Sequence, residues 1–221
     1  MSPELIKLIT DAAIDTVYMV AISAIIGTLL GLPLGIFLAT SGRNELFQSV
    51  TLNRIIGLVV NAVRSTPFII LVVSIIPLTR LIAGTSIGTT AAIVPMTLSA
   101  IPFIARITET SIREVDGGLI EASLAMGATP LQIVLKVLIP EALPGIVLGV
   151  TLSIVSLISF SAMVGAVGGG GLGDVGIRYG YQRFMPEVMI VVVVVLILLV
   201  QAVQSFGDAV ARRVNKRKLR H

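Results

Sequence analysis

The sequence predicts an all-α integral membrane protein, with five spanning helices in one transmembrane domain over residues 1–221. Three observations carry this. Only 13% of the residues are charged, where a soluble domain has about 25%. The mean hydropathy is +1.02. The uncharged runs are long enough to cross a bilayer, which takes about 20 helical residues, and they lack the polar–apolar alternation of a barrel strand. These features exclude an ordinary soluble enzyme, a disordered chain and a free nucleic-acid binder. There are no cysteines, which excludes disulfides and thiolate metal sites, and the one histidine is His221, which excludes a histidine relay or metal centre.

The first fifteen residues lack a basic region and a continuous apolar core, so they do not read as a cleavable signal. Leu5, Ile6, Leu8, Ile9, Ala12 and Ala13 instead suggest a short amphipathic helix lying in the membrane interface. The first span is placed at about 16–40, inside the charge-free run from Thr16 to Gly42. It carries Gly27, Gly31 and Gly35 at four-residue spacing, a face that lets another helix approach closely in lipid. Pro33 is expected to kink it.

The second span is placed at about 55–79, with Arg64 inside it and Pro67 following in Arg64-Ser65-Thr66-Pro67. Intramembrane arginines are costly and face protein or water. Arg64 is therefore read as structural, in an ion pair or at an interfacial elbow made by residues 47–63, with substrate contact as the alternative. The third span is about 87–112, with Pro95 and Pro102 inside and a polar far end of Arg106, Glu109, Arg113 and Glu114. A polar segment of about 114–136 follows. The fourth span, about 137–164, lies largely in the charge-free run from Ala142 to Gly173. The fifth, about 187–209, has the thirteen-residue apolar core Val188 to Val200. Its valines do not argue for a strand, because in lipid a helix satisfies its own backbone.

An odd number of spans puts the termini on opposite sides. With the N-terminus outside, twelve basic residues lie in the cytoplasm, six of them between Arg212 and Arg220, and four lie outside. The positive-inside rule then selects N-out, C-in. The basic tail reads as a stop-transfer anchor to anionic membrane lipids rather than a nucleic-acid arm.

The polar segment holds the most specific signal. A helix over about 117–126 ends at Gly127, suited to the positive φ that stops a helix. A second begins after Thr129 with Pro130 at its first position and continues into span four. This makes a cytoplasmic knob whose surface includes Leu124, Met126, Leu131 and Ile133. Such a surface either floats in the interface or docks a soluble partner.

Glu121-Ala122-Ser123, Gly127 and Val137-Leu138-Ile139-Pro140 match in spacing the EAA loop of ABC importer permeases, which this segment resembles. Ser123, Val137 and Ile139 are mild departures from that pattern. The resemblance implies the type I importer permease fold, with the knob as a coupling helix seated on an ATPase subunit. Glu121, Ala122, Ser123, Met126, Gly127, Ala128 and Pro130 would form that contact. One knob per chain implies a homodimer engaging two ATP-binding cassette subunits inside and a substrate-binding protein outside, the latter facing the N-terminus and a long 165–186 loop. The setting is the bacterial inner membrane.

Further stretches resemble the methionine-uptake branch of the family: Phe160 to Gly173 followed by Tyr179-Gly180-Tyr181, Thr85 to Gly88, Pro102 to Arg106 and Ile120 to Ser123. Arg64-Ser65-Thr66-Pro67 resembles a run in amino-acid importer permeases. The implied function is methionine import, D- and L-, by alternating access. The alternatives are another small solute on the same machinery, such as an osmolyte or phosphonate, or an ATP-independent carrier or channel. Carriers show internal repeats and paired intramembrane charges, which are not seen here.

Gly168 to Gly173 formally fits G-x-G-x-x-G, but a dinucleotide site needs a preceding strand in a soluble βαβ unit. A pathway lining of irregular backbone or a plain loop is expected there instead. Ser161, Met163 and Gly165 precede it and are candidate pathway residues, with ordinary core packing as the rival reading for Met163. The chain has no Walker loop, so it is expected to hold no cofactor or metal of its own, with Mg-ATP in the partner ATPase.

Overall fold

The computed structural model describes residues 3–43 and 45–215; the end of the basic tail, 216–221, lies outside the described residues. Among the described residues ten α-helices follow in order: α1 Pro3–Thr40, α2 Val50–Ser65, α3 Phe68–Ser74, α4 Ile76–Ala83, α5 Thr89–Arg113, α6 Gly117–Ala125, α7 Pro130–Ile133, α8 Ile139–Ala166, α9 Gly171–Val175 and α10 Pro186–Val214. Four of the described helical stretches are long and apolar enough to cross a membrane: α1, α5, α7 through α8, and α10. The bent pair α2 and α3 is apolar enough only when taken together, which gives up to five spans if the pair is one crossing.

The glycine stripe of α1 meets α5, as its spacing predicts. A Cβ on Gly27 would lie 2.7 Å from the Cβ of Ala100, and one on Gly31 2.8 Å from the carbonyl oxygen of Ile101. Backbones this close gain dispersion contacts that lipid cannot replace. Helix α1 remains α-helical through Pro33.

The buried side chains form three storeys. The middle one joins Met19 and Ala24 of α1, Met96 and Ile104 of α5, and Leu157 of α8. At the end carrying α6 and α7, Ala39, Ile112, Ile133, Leu138 and Ile146 pack together. At the opposite end, Ile9 and Ala12 pack with Leu172 and Val175 of α9 and Val188 and Val192 of α10.

That last storey corrects the expectation for the N-terminus. Residues 5–13 are not a separate interfacial helix but the first turns of α1, held by α9 and α10. Their apolar stripe matches protein rather than the lipid interface.

Span two is also corrected. It is not one helix over 55–79 but three pieces, with a 105° bend between α2 and α3. Thr66 is extended at φ −80°, ψ 123°, because the ring of Pro67 excludes the α conformation from the residue before it. Span four begins with α7 and passes through a π turn at Val134–Leu138 before α8. The turn adjoins Pro140, which has no N–H to close an ordinary α turn. The expected 165–186 loop is largely helical: α9 runs into a π turn at Gly176–Tyr181.

Candidate coupling and pathway sites

The knob is built by local rules. The Asp116 side chain accepts from the Gly118 N–H at 2.7 Å and starts α6. Gly127 adopts φ +81° with nothing within 4 Å of where its Cβ would be. Its conformation, not its size, is what the turn requires. Thr129 and Gln132 form a reciprocal capping box, with Pro130 in the first turn of α7. This satisfies donors that a helix start leaves open.

The knob has an inner and an outer side. Ser123 is buried and its hydroxyl donates to the Leu119 carbonyl at 2.6 Å. The N–H of Ala128 donates to the Ser123 carbonyl at 3.0 Å, tying the turn back onto α6. Ile120 and half-buried Ala128 rest on the core below. Glu121, Ala122, Gly127 and Pro130 are exposed, and Met126 is 81% exposed. Leu124 and Leu131 face outward as expected. Ile133 does not: it is fully buried, anchoring α7 among Ile112, Val115 and Leu138. The expectation for Ile133 is thus corrected, because its side chain joins the buried cluster that also holds Ala39 of α1 and Ile112 of α5 rather than standing free.

Beneath α6 lies a cleft of about 660 Å³, lined in part by Glu45, Arg113, Ile120 and Glu121. Arg113 closes its wall through an ion-pair cluster. Glu109, buried, binds Arg106 at 2.8 Å and Arg113 at 3.1 Å. Arg113 also donates to the Leu38 carbonyl near the end of α1, at 3.5 Å. The spacing Arg106-Glu109-Arg113 is the i, i+3, i+4 signature of a helical cluster. The same spacing stands in the sequence, where charge alone marks only a polar helix end.

Arg64 lies in the last turn of α2 and is exposed, beside the bend at Pro67. It enters none of the ion pairs of the described residues. It stands three residues before Pro67, at the end of α2.

The three pathway candidates separate. Ser161 is buried, its hydroxyl donating to the Ile158 carbonyl at 2.7 Å. One turn on, Gly165 is buried against α9, where a Cβ would lie 2.5 Å from the Asp174 nitrogen. Met163 projects from the other side of α8 and is 46% exposed. Beside them Phe160 stacks on Phe68 of α3, with centroids 4.1 Å apart. Gly168 to Gly173 is preceded by α8, and no strand occurs among the described residues. No cluster of metal-binding side chains occurs among them either.

Comparison with known proteins places this geometry. A relative from Vibrio cholerae, described as a probable D-methionine transport system permease protein MetI, is 57% identical, covering 95% of this chain and 93% of its own. A protein of the same description from Pasteurella multocida is 42% identical over 98% of this chain and its whole length. A structure of inward-facing conformations of the MetNI methionine ABC transporter superposes with a TM-score of 0.95 at 47% identity, covering 98% of this chain and 100% of that one. An amino acid ABC transporter shares the fold at 19% identity and TM-score 0.79, covering 95% of each chain. The family described as binding-protein-dependent transport system inner membrane component matches residues 31–217, and the chain belongs to that family.

Proposed function

We propose that this chain is the membrane-spanning subunit of an ATP-driven importer that brings methionine, in D- and L-forms, into the cytoplasm. Two copies form the pathway, two ATP-binding cassette subunits drive it, and a substrate-binding protein delivers the solute outside. The relatives' description as D-methionine transport permeases supports the solute. The observation that carries the mechanism is the capped, outward-facing turn from Glu121 to Pro130, fused through α7 to the spanning helix α8.

The physical reasoning is mechanical. Helices transmit displacement along their axes, and Ile133 and Ala128 root the knob in the packed end of the bundle. Movement of an ATPase against Met126, Ala122 and Glu121 is thereby delivered to α8 and α5. Ser123 and Gly127 act by holding the turn's shape, and Pro130 by starting α7. The basic excess at this end orients it to the cytoplasm, with the N-terminus outside. ATP and its Mg²⁺ belong to the partner subunit; this chain performs no covalent chemistry. Gly165 sets the spacing of α8 against α9, Ser161 is buried with its hydroxyl bonded within α8, and Met163 is the one of the three able to meet solute.

Glu121→Lys tests the reading. In proteoliposomes containing the assembled transporter and binding protein, ATP-dependent methionine uptake falls while the variant still inserts and purifies. Uptake equal to the parent protein would remove Glu121 from coupling. Methionine uptake by this chain without ATPase or ATP would replace the importer reading with a carrier.

A further inference from the structure

A groove of about 580 Å³ runs between α1, α8 and α10. Its walls include Leu32, Leu143, Val150, Ile154, Phe206 and Val210. Thr28 and Thr151 also face it, the Thr151 hydroxyl spent on the Val147 carbonyl at 2.8 Å, and the rest of the wall is apolar. The groove floor is where Gly207 of α10 meets Thr151 of α8 without an intervening side chain.

Three features identify an occupant. The groove borders α10, whose most apolar stretch is only 11% buried, against 33% to 50% in the other single-helix spans. Within the single chain helix α10 is thus the least covered span, and away from the contact with a second copy the surroundings of an inner-membrane helix are acyl chains. The groove extends along α8 from Leu143 to Ile154, a rise of about 16 Å at 1.5 Å per residue. One leaflet of hydrocarbon is about 15 Å deep. At the coupling end, the groove-lining stripe Val203, Phe206, Val210 continues at helical spacing to Arg213, which is exposed. A cation therefore stands on the same face as the groove, one turn past its end, where a headgroup would lie.

We propose that this groove binds one anionic phospholipid from the leaflet on the coupling side, an acyl chain along α8 and α10 and the phosphate at Arg213. The site is distinct from the bulk attraction of a basic tail to a charged surface, because it joins a leaflet-length apolar slot to one defined cation.

The chain contains no tryptophan, so Phe206→Trp places a single reporter at the groove with little change of shape. The assembled transporter carrying it is reconstituted in vesicles of phosphatidylcholine with a minor fraction of phosphatidylglycerol, and the signal of the unsubstituted complex is subtracted. Bromine-labelled acyl chains are placed on one lipid or the other at equal mole fraction. Phosphatidylglycerol is expected to quench with about fivefold enrichment over phosphatidylcholine, the preference one interfacial arginine supplies. Arg213→Gln in the same background is expected to bring the ratio to about one. Equal quenching by both lipids with Arg213 intact would mean ordinary annular lipid and overturn the site. An enrichment that survives Arg213→Gln would remove the headgroup contact. No quenching by either lipid would mean that a protein surface, such as a second copy, covers the groove.

Discussion

Thr16 and Leu172 stand 156 residues apart and share a buried hydrogen bond: the Leu172 N–H donates to the Thr16 hydroxyl oxygen at 2.9 Å. The same hydroxyl donates to the Ala12 carbonyl at 2.9 Å, so its direction is set by its own helix. The bond pins the start of α9, where α1 would otherwise leave a buried donor unpaired. Thr16→Val keeps the shape and removes the acceptor. It is expected to cost about 1–3 kcal/mol, read as a lower unfolding temperature of the purified complex in detergent.

Gly31→Leu tests the α1–α5 seam. The added side chain meets Ile101 and Ile104 at once, the nearest atom 2.8 Å from its Cβ. Neither helix can yield without disturbing the core storeys above and below. The expected result is loss of the monodisperse peak in size-exclusion chromatography. Gly57→Leu, where nothing lies within 4 Å, is expected to retain it.

Gly127→Val separates conformation from contact. No neighbour stands in the way of the new side chain, but φ +81° is unfavourable for it. The strain is about 1–2 kcal/mol, and it acts at the turn that aims α6. ATP-driven methionine uptake is expected to fall severalfold, with expression and thermal stability of the membrane core nearly unchanged. A parallel fall in both would point to folding rather than coupling.

Glu109→Ala unties Arg106 and Arg113 from each other. Both arginines are about half exposed and can hydrate, so the expected cost is modest, about 1 kcal/mol. The larger effect is on position: Arg113 loses what holds it toward the Leu38 carbonyl. A nitroxide on a cysteine introduced at Leu124, in this cysteine-free chain, is expected to report greater mobility of α6. Arg106→Ala is expected to leave that mobility unchanged.

Much of the fold was legible from local chemistry. The span α5 agrees with its expected range because charge-free length and helical propensity suffice to mark it. Gly127, Thr129 and Pro130 mark the knob's turn because caps and positive φ are satisfied within a few residues. Span two failed on the same logic. Hydropathy sees apolar length but not direction, and the chain turns by 105° at Pro67, where averaging over a window hides Arg64-Ser65-Thr66 among apolar neighbours. Gly165 was legible as a special residue but not in role, since nothing local reveals that α9 folds back against it.

By itself, then, the sequence determined the solvent, the helices and the punctuation between them, because each depends on composition or on neighbours within one or two turns. Tertiary structure decided which faces those helices use. It turned Ile133 inward and Met126 outward, drew residues 5–13 into α1 against α9, and set Arg113 of the local ion-pair cluster against the Leu38 carbonyl of α1. Those outcomes depend on pairings between distant helices in lipid, where close approach and unpaired polar groups choose the partner and hydrophobicity does not discriminate.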